Sequence, residues 1–408
     1  MQTSMSIKDI QTEIILNGRR NNQCWFSPLM CVVPNKETKS SDVFLHITQQ
    51  VANDLGPMHI LRTSNHGKSW SLPAESLGLE KIAYDDDSFE SPTLAPFYHR
   101  RTDTLLGYGN TVFSRDKNLD AGIKGEALAY DRLAERKNIF AVFDEDKGDW
   151  RNWREMLVAK NVTESGIIDI LVQPCNQCVE LADGTILLPA VVKHKEIKFN
   201  RATSLICKFD GKDFVISGIG GLIGIDKQGG LHEPSIIEFN RCFFMTIRSD
   251  CEDFRMYCSS SKDGINWDVI DVWRWDDGTE IETENTQQHW LKWNDELYLI
   301  YTRVNEMSNG VFRSRAPLFI AKVDTDNLSL IKKTEKVVFP AKDARMGNFS
   351  VANVSDNEAW IMTGEWIEQY NPDWKEGMRF YCQIESNGKI YNRIQYIGDL
   401  LLARVYFG

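Results

Sequence analysis

The chain has 408 residues, 42% of them hydrophobic and 26% charged, a make-up that suits a globular chain with a substantial core. Its formal charge of −11 argues against nucleic acid as a partner, because phosphate backbones are gripped by clustered Lys and Arg. No run approaches the roughly 18–20 apolar residues of a membrane span, so no membrane partner is expected either.

The N-terminal segment holds only a short apolar run, Ile14-Ile15-Leu16, and lacks the apolar h-region of a signal peptide. As written, the sequence reads as cytoplasmic, or as secreted or periplasmic if a signal has been removed. Ile7–Leu16 is predicted to pair with the C-terminal strands. Thereafter short runs rich in β-branched and aromatic residues recur: 42–50, 104–113, 185–193, 241–249, 296–304 and 358–366. Sustained helical periodicity is missing, so the fold class is all-β.

Ahead of these runs stands a second signal. Phe26-Ser-Pro28, Glu90-Ser-Pro92, Val172-Gln-Pro174 and His232-Glu-Pro234 each open an apolar stretch, and Thr286-Gln-Gln288-His289 and Met346-Gly-Asn348-Phe349 occupy the same place twice more. Proline is expected at the first residue of a strand, where it forfeits no ladder bond. Thr63-Ser-Asn65-His-Gly67-Lys-Ser-Trp70 and Ser260-Ser-Lys-Asp263-Gly264-Ile-Asn-Trp267 share their hydroxyl, Gly and Trp spacing. Cys207-Lys-Phe-Asp210-Gly211-Lys-Asp-Phe214 and Lys147-Gly148-Asp-Trp150 are decayed copies, read as tight turns whose ring packs back onto its hairpin. Six openers imply six four-stranded blades in one domain, 1–408: a six-bladed β-propeller. The long second step leaves room for an insertion around 115–126 or for a seventh blade.

These turns on a six-fold repeat resemble the sialidase superfamily, the BNR or Asp-box proteins. The resemblance implies a site on the face where first strands begin and second strands end. Glu90, Gln173, His232, Glu233, Gln288, His289 and Asn348 come from the openers there, and Gln49, Asn110, Lys193, Arg248, Arg303 and Glu365 from the second-strand ends. Glu233 stands where the family's glutamate opens blade 4, Arg248 follows as its second arginine does, and Arg303 matches the third. Phe26, Asn348-Phe349 and Thr48-Gln49-Gln50 stand where the family has its first arginine, its tyrosine and its aspartate. With those residues missing, the resemblance implies the fold and a carbohydrate site but not a true sialidase.

Paired arginines suit a carboxylate, so Arg248 and Arg303 point to an acidic, uronate-like glycan, with His232, Gln288, Asn348, Gln173 and Arg315 as further substrate-binding candidates. Three functions compete. An exo-acting glycoside hydrolase would use two carboxyl groups, Glu233 and Glu365, with Glu90 in reserve. A polysaccharide lyase would use His289 or His232 as base, Tyr301 as proton donor, and the arginines as a carboxylate clamp. A non-catalytic glycan-binding propeller would use stacking tryptophans such as Trp25, Trp290 and Trp366. No cofactor is expected, though Asp85-Asp86-Asp87 offers a structural calcium site. The lone CxxC, Cys175 to Cys178, lacks the second pair or histidines of a metal site.

Overall fold

In the computed structural model the described residues are 7–21, 23–35, 41–50, 57–84, 89–114, 136–252, 254–308, 311–342, 344–368, 381–386, 389–394 and 396–408. Six antiparallel sheets of four to six strands form a six-bladed β-propeller. Blade 1 runs from Cys24–Pro34 through Ser41–Gln50 and Met58–Thr63 to Ala74–Glu75. Blade 4 has the same plain order: Leu231–Phe239, Cys242–Ser249, Met256–Ser261, Asp271–Val272. Blades 2, 3 and 5 carry extra short strands at their edges. Blade 6 is built from both ends of the chain. Phe349–Ser355, Glu358–Gly364 and Leu400–Phe407 are completed by Ile7–Leu16, which pairs antiparallel with Leu400–Phe407 as its sequence suggested. The inserted segment 115–126 and Asp85-Asp86-Asp87 lie outside the described residues.

The blades are apolar on both faces because each face packs against a neighbouring blade. Six large buried clusters result, one at each blade–blade contact, beside a small one of Cys24 and Phe26. Trp25, Leu45 and Met362 join blades 1 and 6; Phe44, Phe143 and Trp150 join blades 1 and 2. Further round, Leu106 and Leu188 meet between blades 2 and 3, Leu187 and Met245 between 3 and 4, Trp273 and Leu299 between 4 and 5, and Ile320 and Ile361 between 5 and 6. Burial on two faces explains why the strands read as near-continuous apolar runs rather than as alternating ones.

One expectation is corrected here and another extended. The prolines do not begin their strands: Pro28, Pro92 and Pro234 lie inside Cys24–Pro34, Phe89–His99 and Leu231–Phe239. They are tolerated because at each of them the first strand has no partner on its axial side, the short Ile82–Ala83 strand of blade 2 reaching only Phe89 and Glu90. The turn aromatics do more than pack on their own hairpins, as Trp150 does on Phe143 and Phe214 on Phe209. Each reaches the preceding blade: Trp70 against Trp360, Phe214 against Phe140, Trp150 Nε1 donating to His46 Nε2 at 2.5 Å, and Trp267 Nε1 donating to Ser204 Oγ at 3.1 Å.

The turns share one hydrogen-bond scheme. Thr63 Oγ1 accepts from Gly67 N (3.0 Å) and Asn65 Oδ1 from Ser69 N (3.0 Å), while Gly67 takes φ 73°. In blade 4 the hydroxyl is that of Ser261, not Ser260. It accepts from Gly264 N at 2.9 Å, while Asp263 Oδ1 accepts from Ile265 N and Asn266 N. Those bonds hold the Asp263 carboxyl well below the usual carboxylate range, led by the backbone N–H of Asn266. Asp210 does the same with Lys212 N and Asp213 N. A further copy without the glycine, Asp324 with Asp326 N and Asn327 N, turns blade 5. Blade 6 needs no such turn, because its third and fourth strands are the two ends of the chain.

Candidate functional site

The site is organised by a kink in the inner strand of blade 4. Its ladder runs in register through His232↔Arg248, then shifts before Ser235↔Thr246. Within the shift Glu233 takes φ 49°, in the left-handed region, directly before Pro234. A residue before proline is already restricted, so a non-glycine residue there holds strain of the kind that re-aims a side chain. Gln173 relieves part of it: its Oε1 accepts the freed N–H of Glu233 at 2.8 Å. Ser27 before Pro28 makes the same kink in blade 1, at φ 49°, with a small side chain.

Because of that kink, His232 and Glu233, neighbours in sequence, both face the end of the second strand. Arg248 Nη1 donates to Glu233 Oε2 at 2.6 Å, and Arg248 Nε and Nη2 donate to Asp250 Oδ1 at 3.1 and 2.7 Å. His232 Nε2 lies 3.4 Å from Asp250 Oδ2. Burial alone would lower the Arg248 pKa, but the Glu233 and Asp250 carboxylates outweigh it and raise it further above its usual value. For Asp250 burial acts upward, and Arg248 and His232 reverse it, leaving the carboxyl below its usual range. Two N–H groups of Arg248, one on each terminal nitrogen, stay uncommitted by these bonds.

The cluster extends round the axis. Asn285 bonds to Asp250 through its side chain, and its carbonyl accepts from Arg315 Nη2 at 3.3 Å; Arg315 Nη1 donates to Asn348 Oδ1 at 3.2 Å. Glu233, Arg248, Asp250, Asn285, Arg315 and Asn348 thus form one polar arc over blades 4 to 6. Nearby, Cys175 Sγ donates to Asn176 Oδ1 at 3.4 Å; burial, then the Glu233 charge, raises this thiol well above its usual value. Cys175 also lines an axial cavity of about 630 Å³ walled by the inner strands, among them Leu29, Phe97, Ile236 and Val351.

Other sequence-derived candidates stand elsewhere. Arg303 forks onto Glu335, Nε to Oε1 at 2.9 Å and Nη2 to Oε2 at 2.8 Å, with its guanidinium 4.8 Å from the Phe319 ring centre. Tyr301 donates to the same carboxylate at 2.6 Å and is fully buried, which raises its pKa well above the usual value. Glu365 is taken by Arg19, Nε to Oε2 at 2.6 Å and Nη2 to Oε1 at 2.7 Å, beside Asp399. Gln288 bridges Thr246 and the Thr286 carbonyl in the core. His289 is buried between Gln287 Oε1 (2.9 Å) and Ser235, and burial lowers its pKa to about 3. Glu90 is paired with Lys137 at 2.7 Å. Asp250, Asn285, Arg19 and Glu335 are the partners that sequence reasoning missed. Among the described residues no group of three or more His, Cys, Asp or Glu side chains is arranged to hold a metal ion.

No family model matches the chain, and no curated protein does. Solved structures do resemble it. A protein of unknown function from Dyadobacter fermentans DSM 18053 superposes with a TM-score of 0.59 at 12% identity, over 97% of this chain and 99% of that one. The Hadza microbial sialidase Hz136 gives 0.58 at 10% identity, over 87% of this chain and 66% of the sialidase. Trypanosoma rangeli sialidase in complex with 2,3-difluoro-KDN gives 0.55 at 12% identity, over 98% of this chain and 59% of that one. The chain therefore spans less than two thirds of the length of these sialidases. At such identities the likeness is one of fold: a sialidase-like β-propeller.

Proposed function

We propose that the protein is a carbohydrate-active enzyme, a glycoside hydrolase acting at an acidic sugar. The observation that carries this reading is the convergence of His232, Glu233, Arg248 and Asp250, joined through Asn285 to Arg315, on the face where first strands begin. Arg315 and the uncommitted N–H groups of Arg248 provide donors for a sugar carboxylate, with Asn348 beside them. Glu233, ion-paired to Arg248, is the carboxylate that faces the anomeric carbon. The fold neighbours fit this reading, since two of those described above are sialidases.

The lyase reading loses support from the same geometry. Of its groups only His232 and Arg248 meet, at Asp250: His289 is sealed beside Gln287, and the proton donor Tyr301 and second arginine Arg303 share Glu335 in another blade. Glu365 is likewise committed to Arg19, so the second carboxyl group near Glu233 is that of Asp250. The test is incubation with a panel of oligosaccharides ending in uronates or other acidic sugars, read by reducing-end assay and by absorbance near 235 nm. New reducing ends without absorbance, lost in Glu233→Gln, support the hydrolase. Absorbance that survives Glu233→Gln supports elimination instead. Silence in both channels, with retention of a glycan on an array, supports a binding module.

A further inference from the structure

A hydrolase needs a proton donor for the leaving oxygen as well as a carboxylate. The two carboxylates of this site are poor donors as placed: Asp250 is held below its usual range, and Glu233 is ion-paired to Arg248. His232 is the remaining side chain of the cluster with a proton-transferring group, and imidazole is the commonest general acid–base side chain. We propose that His232 is the acid/base of the site, with Asp250 as its orienting carboxylate; this rests on the hydrolase reading above.

The geometry of the ring supports the role. Every contact of His232 involves Nε2: the Gly229 carbonyl at 3.2 Å, Asp250 Oδ2 at 3.4 Å and Asn200 Nδ2 at 3.4 Å. Two of these three partners are acceptors, and the Asn200 amide turned over would present a third, so Nε2 is assigned as the N–H end. Among the described residues no hydrogen bond uses Nδ1, and the side chain is 21% exposed, which leaves that nitrogen for the substrate. Anchoring one imidazole nitrogen on a carboxylate while the other meets substrate is the arrangement that orients a catalytic histidine. The kink at Glu233 is what makes it possible here. In an unbroken strand two successive side chains point to opposite faces; across the shift both reach the Arg248–Asp250 pair.

The steps balance as follows. Glu233 attacks the anomeric carbon, the glycosidic C–O bond breaks, and its electron pair leaves with the aglycone oxygen, which takes the proton from Nδ1 of the imidazolium. Neutral His232 then removes a proton from water, whose oxygen displaces Glu233 from the anomeric carbon and restores both groups. The charged groups facing His232 are Asp250 from the loop after the second strand, Arg248 from that strand and Glu233 from its own. The Arg201–Asp226 pair lies behind Asn200.

The experiment compares wild type, His232→Gln and Asp250→Asn on two glycosides of the same acidic sugar, one with a sugar aglycone and one with a 2,4-dinitrophenyl aglycone that leaves unprotonated. The expected loss in His232→Gln is about 10²–10⁴-fold in kcat/KM on the sugar aglycone, and less than about tenfold on the aryl glycoside. In Asp250→Asn the alkaline limb of the pH profile on the sugar aglycone moves to lower pH, because the imidazolium has lost its carboxylate. Equal losses on both glycosides with an unmoved limb would overturn the acid/base role while leaving the hydrolase reading intact. A wild type that cleaves neither would overturn both.

Discussion

Arg248 near the end of its second strand and Arg303 just past the end of the next one stand in adjacent blades, yet they point to different places. Arg248 lies inside its ladder, paired with His232 on one side and Met256 on the other, so strand alternation fixes its direction towards Glu233. In blade 5 the ladder stops at Tyr301. By Arg303 the chain has turned to meet the 281–287 segment, where Val304 N donates to the Glu282 carbonyl at 2.9 Å. Its guanidinium then drops onto Phe319 and Glu335 in the blade wall. Alternation is a rule about paired strand, and two residues beyond the last pair it no longer holds.

The sharpest way to test this contrast is to remove each arginine. Arg248→Met leaves the Glu233 and Asp250 carboxylates mostly buried and facing each other. We expect a loss of about 3–5 kcal/mol in urea unfolding together with loss of glycan turnover. Arg303→Met strands only Glu335 and keeps the cation's apolar stem against Phe319. An expected cost of about 1–3 kcal/mol, with kcat/KM within about threefold of wild type, would separate a structural arginine from a functional one.

Acid provides a second handle on the same division. Folding lowers the pKa of His46 from the usual 6.5 to about 4, because burial outweighs its bond to the Leu94 carbonyl. That contribution to stability is complete above pH 6.5 and is lost as pH falls from 6.5 towards 4, on the order of 3 kcal/mol in all. His46→Gln should therefore flatten the fall of the urea midpoint over this range without moving the activity profile. The smallest expected effect is in a turn: Ser261→Ala removes the hydroxyl that accepts from Gly264 N and should cost about 1 kcal/mol, with turnover unchanged.

Much of the architecture is local chemistry and was therefore legible. The Gly-aromatic turns, the six openers and the return of Ile7–Leu16 can be read from short patterns, because turns and apolar runs are encoded by adjacent residues. The turn of blade 5 escaped because Asp324 keeps the hydrogen bonds while Thr325 stands where Gly264 and Gly211 follow their aspartates. Side-chain partners were less legible. Glu365 sits at a second-strand end, as expected, but Arg19, 346 residues away, claims it. Asp250 lies just past the strand, where no period reports direction. The kink that turns Glu233 towards Arg248 shows in the sequence only as a proline, which three other openers also carry.

The central claim is that the Glu233–Arg248–Asp250 cluster, rather than the Arg303–Glu335 pair, is where a glycan is cleaved. The most direct measurement is the reducing-end assay on acidic oligosaccharides with wild type, Glu233→Gln and Glu335→Gln side by side. The account predicts turnover by wild type, a fall of about 10²–10⁴-fold in Glu233→Gln and near-wild-type rates in Glu335→Gln. Turnover that persists in Glu233→Gln and disappears in Glu335→Gln would contradict it.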